Sequence, residues 1–121
     1  MPATVAQEIG RRAERRAAWH LRLRGWRIVA RNWIGGGGEL DLVASRWSTL
    51  LIIEVRQRAE TAAALASIDR AKLDRTLSAA QALVRTHGLQ RYHLRVDVIA
   101  LDGRGRLIRR RDVLAGSGFS G

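Results

Sequence analysis

Hydrophobic and polar positions alternate along the chain in two rhythms, and each rhythm marks a kind of element. From about Thr4 to Arg24, Ile9, Ala13, Ala17 and Leu21 recur at helical spacing, and Arg11, Arg12, Arg15, Arg16 and Arg22 occupy the intervening positions. That pattern predicts an amphipathic helix, stopped by Gly25. Trp26 to Arg31 reads as a strand, and Gly35 to Gly38 as a flexible loop. Two stretches with a two-residue period follow, Gly38 to Ala44 and Leu51 to Arg56, separated by Arg46-Trp47-Ser48-Thr49, a hairpin connection. A second helix falls between Ala62 and Thr86, with Leu73, Leu77, Ala80 and Val84 as its core stripe, Ser67 as a cap for a shorter version, and His87-Gly88 at its end. Leu94 to Leu101 alternates like a strand. Asp102-Gly103-Arg104-Gly105 is a turn signal, and Arg106 to Arg110 reads as a charged edge strand. The order is helix, three strands, helix, strand, strand. It describes an α/β fold in one domain over residues 1–115, followed by a mobile tail, residues 116–121.

The hairpin carries the chemistry. Pairing Ser45 with Leu50 sets Asp41 opposite Glu54 and Glu39 opposite Arg56, and sends Leu40, Leu42, Ala44, Leu51, Ile53 and Val55 to the other, wholly apolar face. Carboxylates directly across a ladder repel, and these lie beside Val43, Leu50 and Ile52. Partly buried carboxylates need a counter-charge or a metal, and a hard divalent cation is the simplest compensation. The alternative is a solvated strand end neutralised by arginines. Glu39 is satisfied by Arg56 without any function. Glu14 lies at the margin of the first helix's apolar face, where it either turns toward the sheet or forms a surface ion pair with Arg11 or Arg15.

Charge adds a partner. Lysine and arginine number 22 against 11 acidic residues, a net charge of +11. Lys72 is the single lysine, so part of the pattern is a drift from lysine to arginine. Drift does not explain the two-fold excess of base over acid. Such a charge repels itself in the compact state and is relieved by a polyanion, which points to DNA or another nucleic acid. At 121 residues and 46% hydrophobic content the chain can bury a core. It has no cysteine, excluding disulfides and thiolate zinc sites. No apolar run is long enough to span a membrane, no secretory signal is visible at the N-terminus, and the expected location is the cytoplasm.

Other features carry less. His20, His87 and His93 have no metal-ligand spacing. Trp19 and Trp26 fall in regular elements as packing residues, whereas Trp33 and Trp47 are better placed to stack on bases. Gly35 to Gly38 lacks the lysine-serine ending of a phosphate loop and reads as a mobile flap beside the acids. Arg109-Arg110-Arg111 is either a solvated edge or a clamp on a phosphate backbone.

Taken in order, Gly10, Glu14, Ala18, Gly25 to Asn32, Gly38 to Ala44, Glu54-Val55-Arg56, Lys72 and Arg95-Val96-Asp97-Val98-Ile99 resemble the small bacterial YraN family. The resemblance covers roughly residues 8–101. That family is similar to archaeal Holliday-junction resolvases and to the PD-(D/E)XK nucleases. The resemblance implies a restriction-endonuclease-like core, with a central mixed sheet of about five strands flanked by two main helices. It further implies that Asp41 and Glu54 bind Mg2+ or Mn2+ with the Val55 carbonyl, that Glu14 completes the acidic site, and that related resolvases act as dimers. One position departs from the pattern: Arg56 stands where the family has lysine. Arginine supplies charge and fits phosphate but holds its proton too tightly to act as a base. Losing a lysine-type donor costs about 3 kcal/mol of barrier, two to three orders of magnitude in rate. Lys72 either substitutes from the helix or snorkels at the surface.

Three functions compete. The first is a metal-dependent endonuclease acting on branched or structured DNA, with Glu14, Asp41, Glu54, Arg56 and Lys72 as catalytic residues. The second is a catalytically weakened or silent nucleic-acid-binding module on the same fold. The third is a protein-interaction or ribosome-associated factor whose charge complements an acidic partner.

Overall fold

The computed structural model describes residues 2–115; the tail expected to be mobile lies outside them. Eight elements follow in order: α1 (Val5–Arg22), β1 (Arg27–Gly35), β2 (Gly38–Arg46), β3 (Thr49–Gln57), α2 (Thr61–Ala66), α3 (Arg70–His87), β4 (His93–Leu101) and β5 (Leu107–Arg110). The strands form one mixed sheet in the order β1-β2-β3-β4-β5. Only β3 and β4 run parallel, because only that connection contains helices long enough for a crossover. The α/β class is as the residue pattern anticipates, and the five-stranded mixed sheet with two main helices is as the family resemblance implies.

The helices cover opposite faces. On one, Ala13, Ala17, Ala18 and Leu21 of α1 pack with Trp26, Leu42, Ala44, Leu51, Ile53, Ile99 and Leu101. On the other, Ala79, Ala80 and Leu83 of α3 pack with Leu40, Val43, Leu50, Ile52, Val96 and Leu114. Small side chains on both helices let their axes approach the sheet closely. A capping box starts α1: the Thr4 hydroxyl accepts from the Gln7 N–H, and the Gln7 side chain accepts from the Thr4 N–H. Ile9, expected in the α1 stripe, is 42% exposed and lines a cleft with Gln57 and Leu101 at the ends of β3 and β4.

The second helical region is two helices. Ser67 closes α2, its hydroxyl donating to the Ala64 carbonyl, and Asp69 caps α3 by accepting from the Lys72 N–H. Gly88 ends α3 in the left-handed region, as expected. The glycine run is no flap. It is a tight turn between β1 and β2, laid on α3, with the Ser78 hydroxyl donating to the Gly36 carbonyl at 2.6 Å. A Cβ on Gly38 would fall 2.5 Å from the Arg75 carbonyl oxygen. Glycine is required there for close approach rather than for mobility. Among the described residues no helix is long and apolar enough to cross a membrane.

Candidate active site

The expected β2–β3 register holds from Leu42↔Ile53 to Arg46↔Thr49 and stops short of Asp41. Continuing the β1–β2 register sets Asp41 opposite Asn32, whose backbone is left-handed at φ 50. Alternation slips there in both strands. Leu40 and Val43, three residues apart, pack on the α3 face together, as do Ala30 and Trp33. Leu40 therefore leaves the face shared by Leu42, Ala44, Leu51, Ile53 and Val55 where the simple pattern placed it. The slip lets Asp41 Oδ2 accept the Val55 N–H at 2.8 Å, and this bond fixes the carboxylate against β3.

Glu54 is 2% exposed, on the α3 face of the sheet. Its Oε1 lies 3.3 Å from Arg56 Nη2 and 3.5 Å from Lys72 Nζ. Lys72 thus reaches the acid rather than snorkelling at the surface. Glu54 Oε2 is buried without a hydrogen-bond partner among the described residues, as are Arg56 Nε and the hydroxyl of Thr76, one turn beyond Lys72. Burial and then the Asp41 charge push the Glu54 carboxyl up to about 7, against the opposing pull of Lys72 and Arg56. At neutral pH the group is poised between its two protonation states.

Glu14 turns inward and accepts a hydrogen bond from Asn32 Nδ2 at 3.2 Å. Burial raises its pKa, and the charges of Asp41 and Glu39 add to the rise. Glu14, Asp41 and Glu54 therefore belong to one end of the sheet, but among the described residues no three His, Asp or Glu side chains converge as a ligand set. Two carboxylates form the inner pair, with Glu14 held back by Asn32. Glu39 pairs across from Ile34 and is exposed; Arg56 bonds to Glu54 instead, since β2 and β3 have parted before residue 39. Val55 contributes its N–H to Asp41.

Two residues escaped the sequence reading. Asn32 supplies the kink and orients Glu14; its signal is an asparagine within a strand pattern, the side chain most tolerant of left-handed backbone after glycine. Asp97 is fully buried in β4, held by Arg95 at 3.1 Å to each oxygen, by Arg109 Nε at 2.9 Å and by the Asp112 N–H at 2.9 Å. Arg109 is consequently an internal strut, neither a solvated edge nor a phosphate clamp. Trp33 packs on α3 and meets His87 edge-on, which withdraws it as a stacking surface. Trp19, expected to pack, is 59% exposed; Trp47 is 90% exposed.

The model of the uncharacterised protein family UPF0102 matches residues 13–101, from α1 to the end of β4. A UPF0102 protein of Rhizorhabdus wittichii is 43% identical over 95 residues, covering 78% of this chain and 80% of its own length. One from Sphingopyxis alaskensis is 44% identical over 101 residues, with 84% and 87% coverage. One from Pseudomonas fluorescens is 41% identical over 101 residues, with 81% and 82%. By the extent of the family match and by these identities, the chain belongs to the UPF0102 (YraN) family.

Proposed function

We propose that this protein is a nucleic-acid-binding, metal-dependent endonuclease that hydrolyses phosphodiesters in branched or structured DNA. The observation that carries the reading is the Glu54 carboxyl: buried, unpartnered at Oε2, pressed by Asp41 and flanked by the only lysine in the chain. A buried acid so arranged is an unfinished electrostatic site, and such sites belong to function more often than to stability. The donor set fits one hard cation of the magnesium class, which is commonly held by one or two carboxylates with water and substrate phosphate completing its shell. Asp41 and Glu54 would hold it. When bound, the cation supplies a polarised phosphoryl oxygen and an acidified water.

The chain's own groups do the rest. The Val55 N–H keeps Asp41 in place before any ligand arrives. Asn32 holds Glu14 within electrostatic reach of Asp41, where it adds a third carboxyl beside the pair. Lys72 stands on the α3 side of Glu54 and can offer its ammonium to a bound phosphate or to the attacking water, the role that Arg56 performs poorly. Arg56 neutralises Glu54 and offsets charge on the phosphorane. The basic surface around this end retains the DNA backbone without regard to sequence.

The competing reading, a silent binding module, draws on one observation: a guanidinium, a side chain unsuited to act as a general base, stands at position 56, tied to Glu54 at 3.3 Å. Incubating the protein with linear, nicked and four-way-junction DNA in Mg2+ and Mn2+ separates the two. Metal-dependent nicking that vanishes in Asp41→Asn and in Glu54→Gln is the expected result. Binding with no cleavage in either metal, in the wild type and in Arg56→Lys, would leave the silent module standing.

A further inference from the structure

The end of the sheet opposite the acids has its own character. It is built from the C-terminus of α1, the start of β1, the β2–β3 turn and the α3–β4 connection; the Ser48 carbonyl accepts the His93 N–H at 2.7 Å and ties the last two together. The segments that meet there, residues 20–28, 44–51 and 86–95, contain no aspartate or glutamate; Asp112, from the segment after β5, lines a cleft beside Gln90, Tyr92 and His93. These segments contribute exposed Arg22, Arg24, Arg27 and Arg91. From Glu54 to the turn is five residues of strand, about 17 Å. This surface is distinct from the acidic site.

At its tip stands Trp47, 90% exposed, in a two-residue turn closed by Arg46↔Thr49. Its backbone is left-handed at φ 52, a conformation that favours glycine or asparagine and strains a bulky side chain. Folding therefore gains nothing from tryptophan here on either count: the backbone opposes it and the indole is left in water. The ring is nevertheless held in place. The Arg46 guanidinium lies 5.6 Å from the Trp47 ring and 4.2 Å from the Trp26 ring, and its Nη1 donates to the Arg24 carbonyl at 2.8 Å. A strained, exposed, pre-positioned aromatic amid arginines is suited to a base flanked by phosphates.

We propose that this arginine-rich end is a second nucleic-acid contact, in which Trp47 stacks on an unpaired base while Arg27 and Arg91 take the adjacent phosphates. The inference rests on nucleic acid as the partner but not on cleavage. It assigns the substrate a single-stranded segment reaching about 17 Å or more from the site of hydrolysis, as at a tail, flap or open junction.

Binding to a duplex carrying a single-stranded tail, compared with a blunt duplex of equal base pairs, tests it in EDTA so that cleavage plays no part. The wild type should prefer the tailed duplex. Trp47→Ala should weaken that complex by about 5- to 150-fold and leave the blunt duplex within about twofold, with Trp47→Phe intermediate. Trp47→Asn, relieved of backbone strain, should melt higher than the wild type while losing the same preference, an outcome a merely structural tryptophan would not give. Equal loss on both DNAs, or no loss, overturns the second contact and leaves the acidic-site reading intact. Failure of the wild type to bind either DNA overturns both. Tail preference lost in Trp47→Ala, in a protein that cuts nothing in any metal, supports the second contact and removes only the cleavage.

Discussion

A carboxyl raised to about 7 in the fold and near 4.5 when unfolded keeps a proton that the unfolded chain releases over that interval. The sign follows directly. Glu54's contribution to stability is most favourable below pH 4.5 and is lost as pH climbs through 7, to a total of about 3 kcal/mol. Urea melts at pH 5 and pH 8 should show this decline, and Glu54→Gln, which cannot ionise, should flatten it. The same variant should abolish nicking, so stability and activity part company at one residue. Lys72→Met keeps the length of the side chain but loses its charge; we expect about a 100- to 1,000-fold lower cleavage rate with tail binding preserved. If Lys72 serves only as a counter-charge to Glu54, Lys72→Arg will cut as well as the wild type, and rates of the three proteins decide the matter.

The elements show why these groups meet. The β2–β3 register was legible because so short a hairpin connection fixes the pairing of its strands, and the helices because their stripes and final glycine carry local signals. The slip at Asn32 and Asp41 was not, since a left-handed residue inside a strand leaves the hydrophobic count unchanged while rotating everything before it. Leu40 and Glu39 were misplaced for that single reason. The glycine turn was misread as mobile because composition cannot distinguish a glycine needed for freedom from one needed for close approach. Gly38→Ala should expose the difference: its Cβ meets the Arg75 carbonyl, so we expect about 1–3 kcal/mol of lost stability, read from denaturant midpoints. Asp97 was invisible as a strut because its three partners come from β4, β5 and the segment after it. Asp97→Ala should cost about 3–5 kcal/mol by stranding Arg95 and Arg109 beside a vacant position.

Across the whole molecule, charge is sorted rather than spread. Glu14, Glu39, Asp41 and Glu54 gather where β2 and β3 diverge, and the opposite turns and strand ends, residues 20–28, 44–51 and 86–95, carry arginine without acid. On the proposed function, a polyanion is drawn to the arginine-rich surface and repelled by the carboxylate pair unless a cation lies between. Binding should therefore be steeply salt-sensitive, with log affinity falling linearly in log salt. Removing divalent cation should abolish hydrolysis while leaving DNA affinity in place. The proposed mechanism depends on a cation held by the acid pair. Calorimetric titration of Mn2+ into the intact protein at pH 8 and pH 6 tests that dependence most directly. One cation should bind per chain, about tenfold more weakly at pH 6 because Glu54 is then mostly protonated, and binding should disappear in Asp41→Asn. No binding, or binding indifferent to both pH and Asp41, would contradict the account.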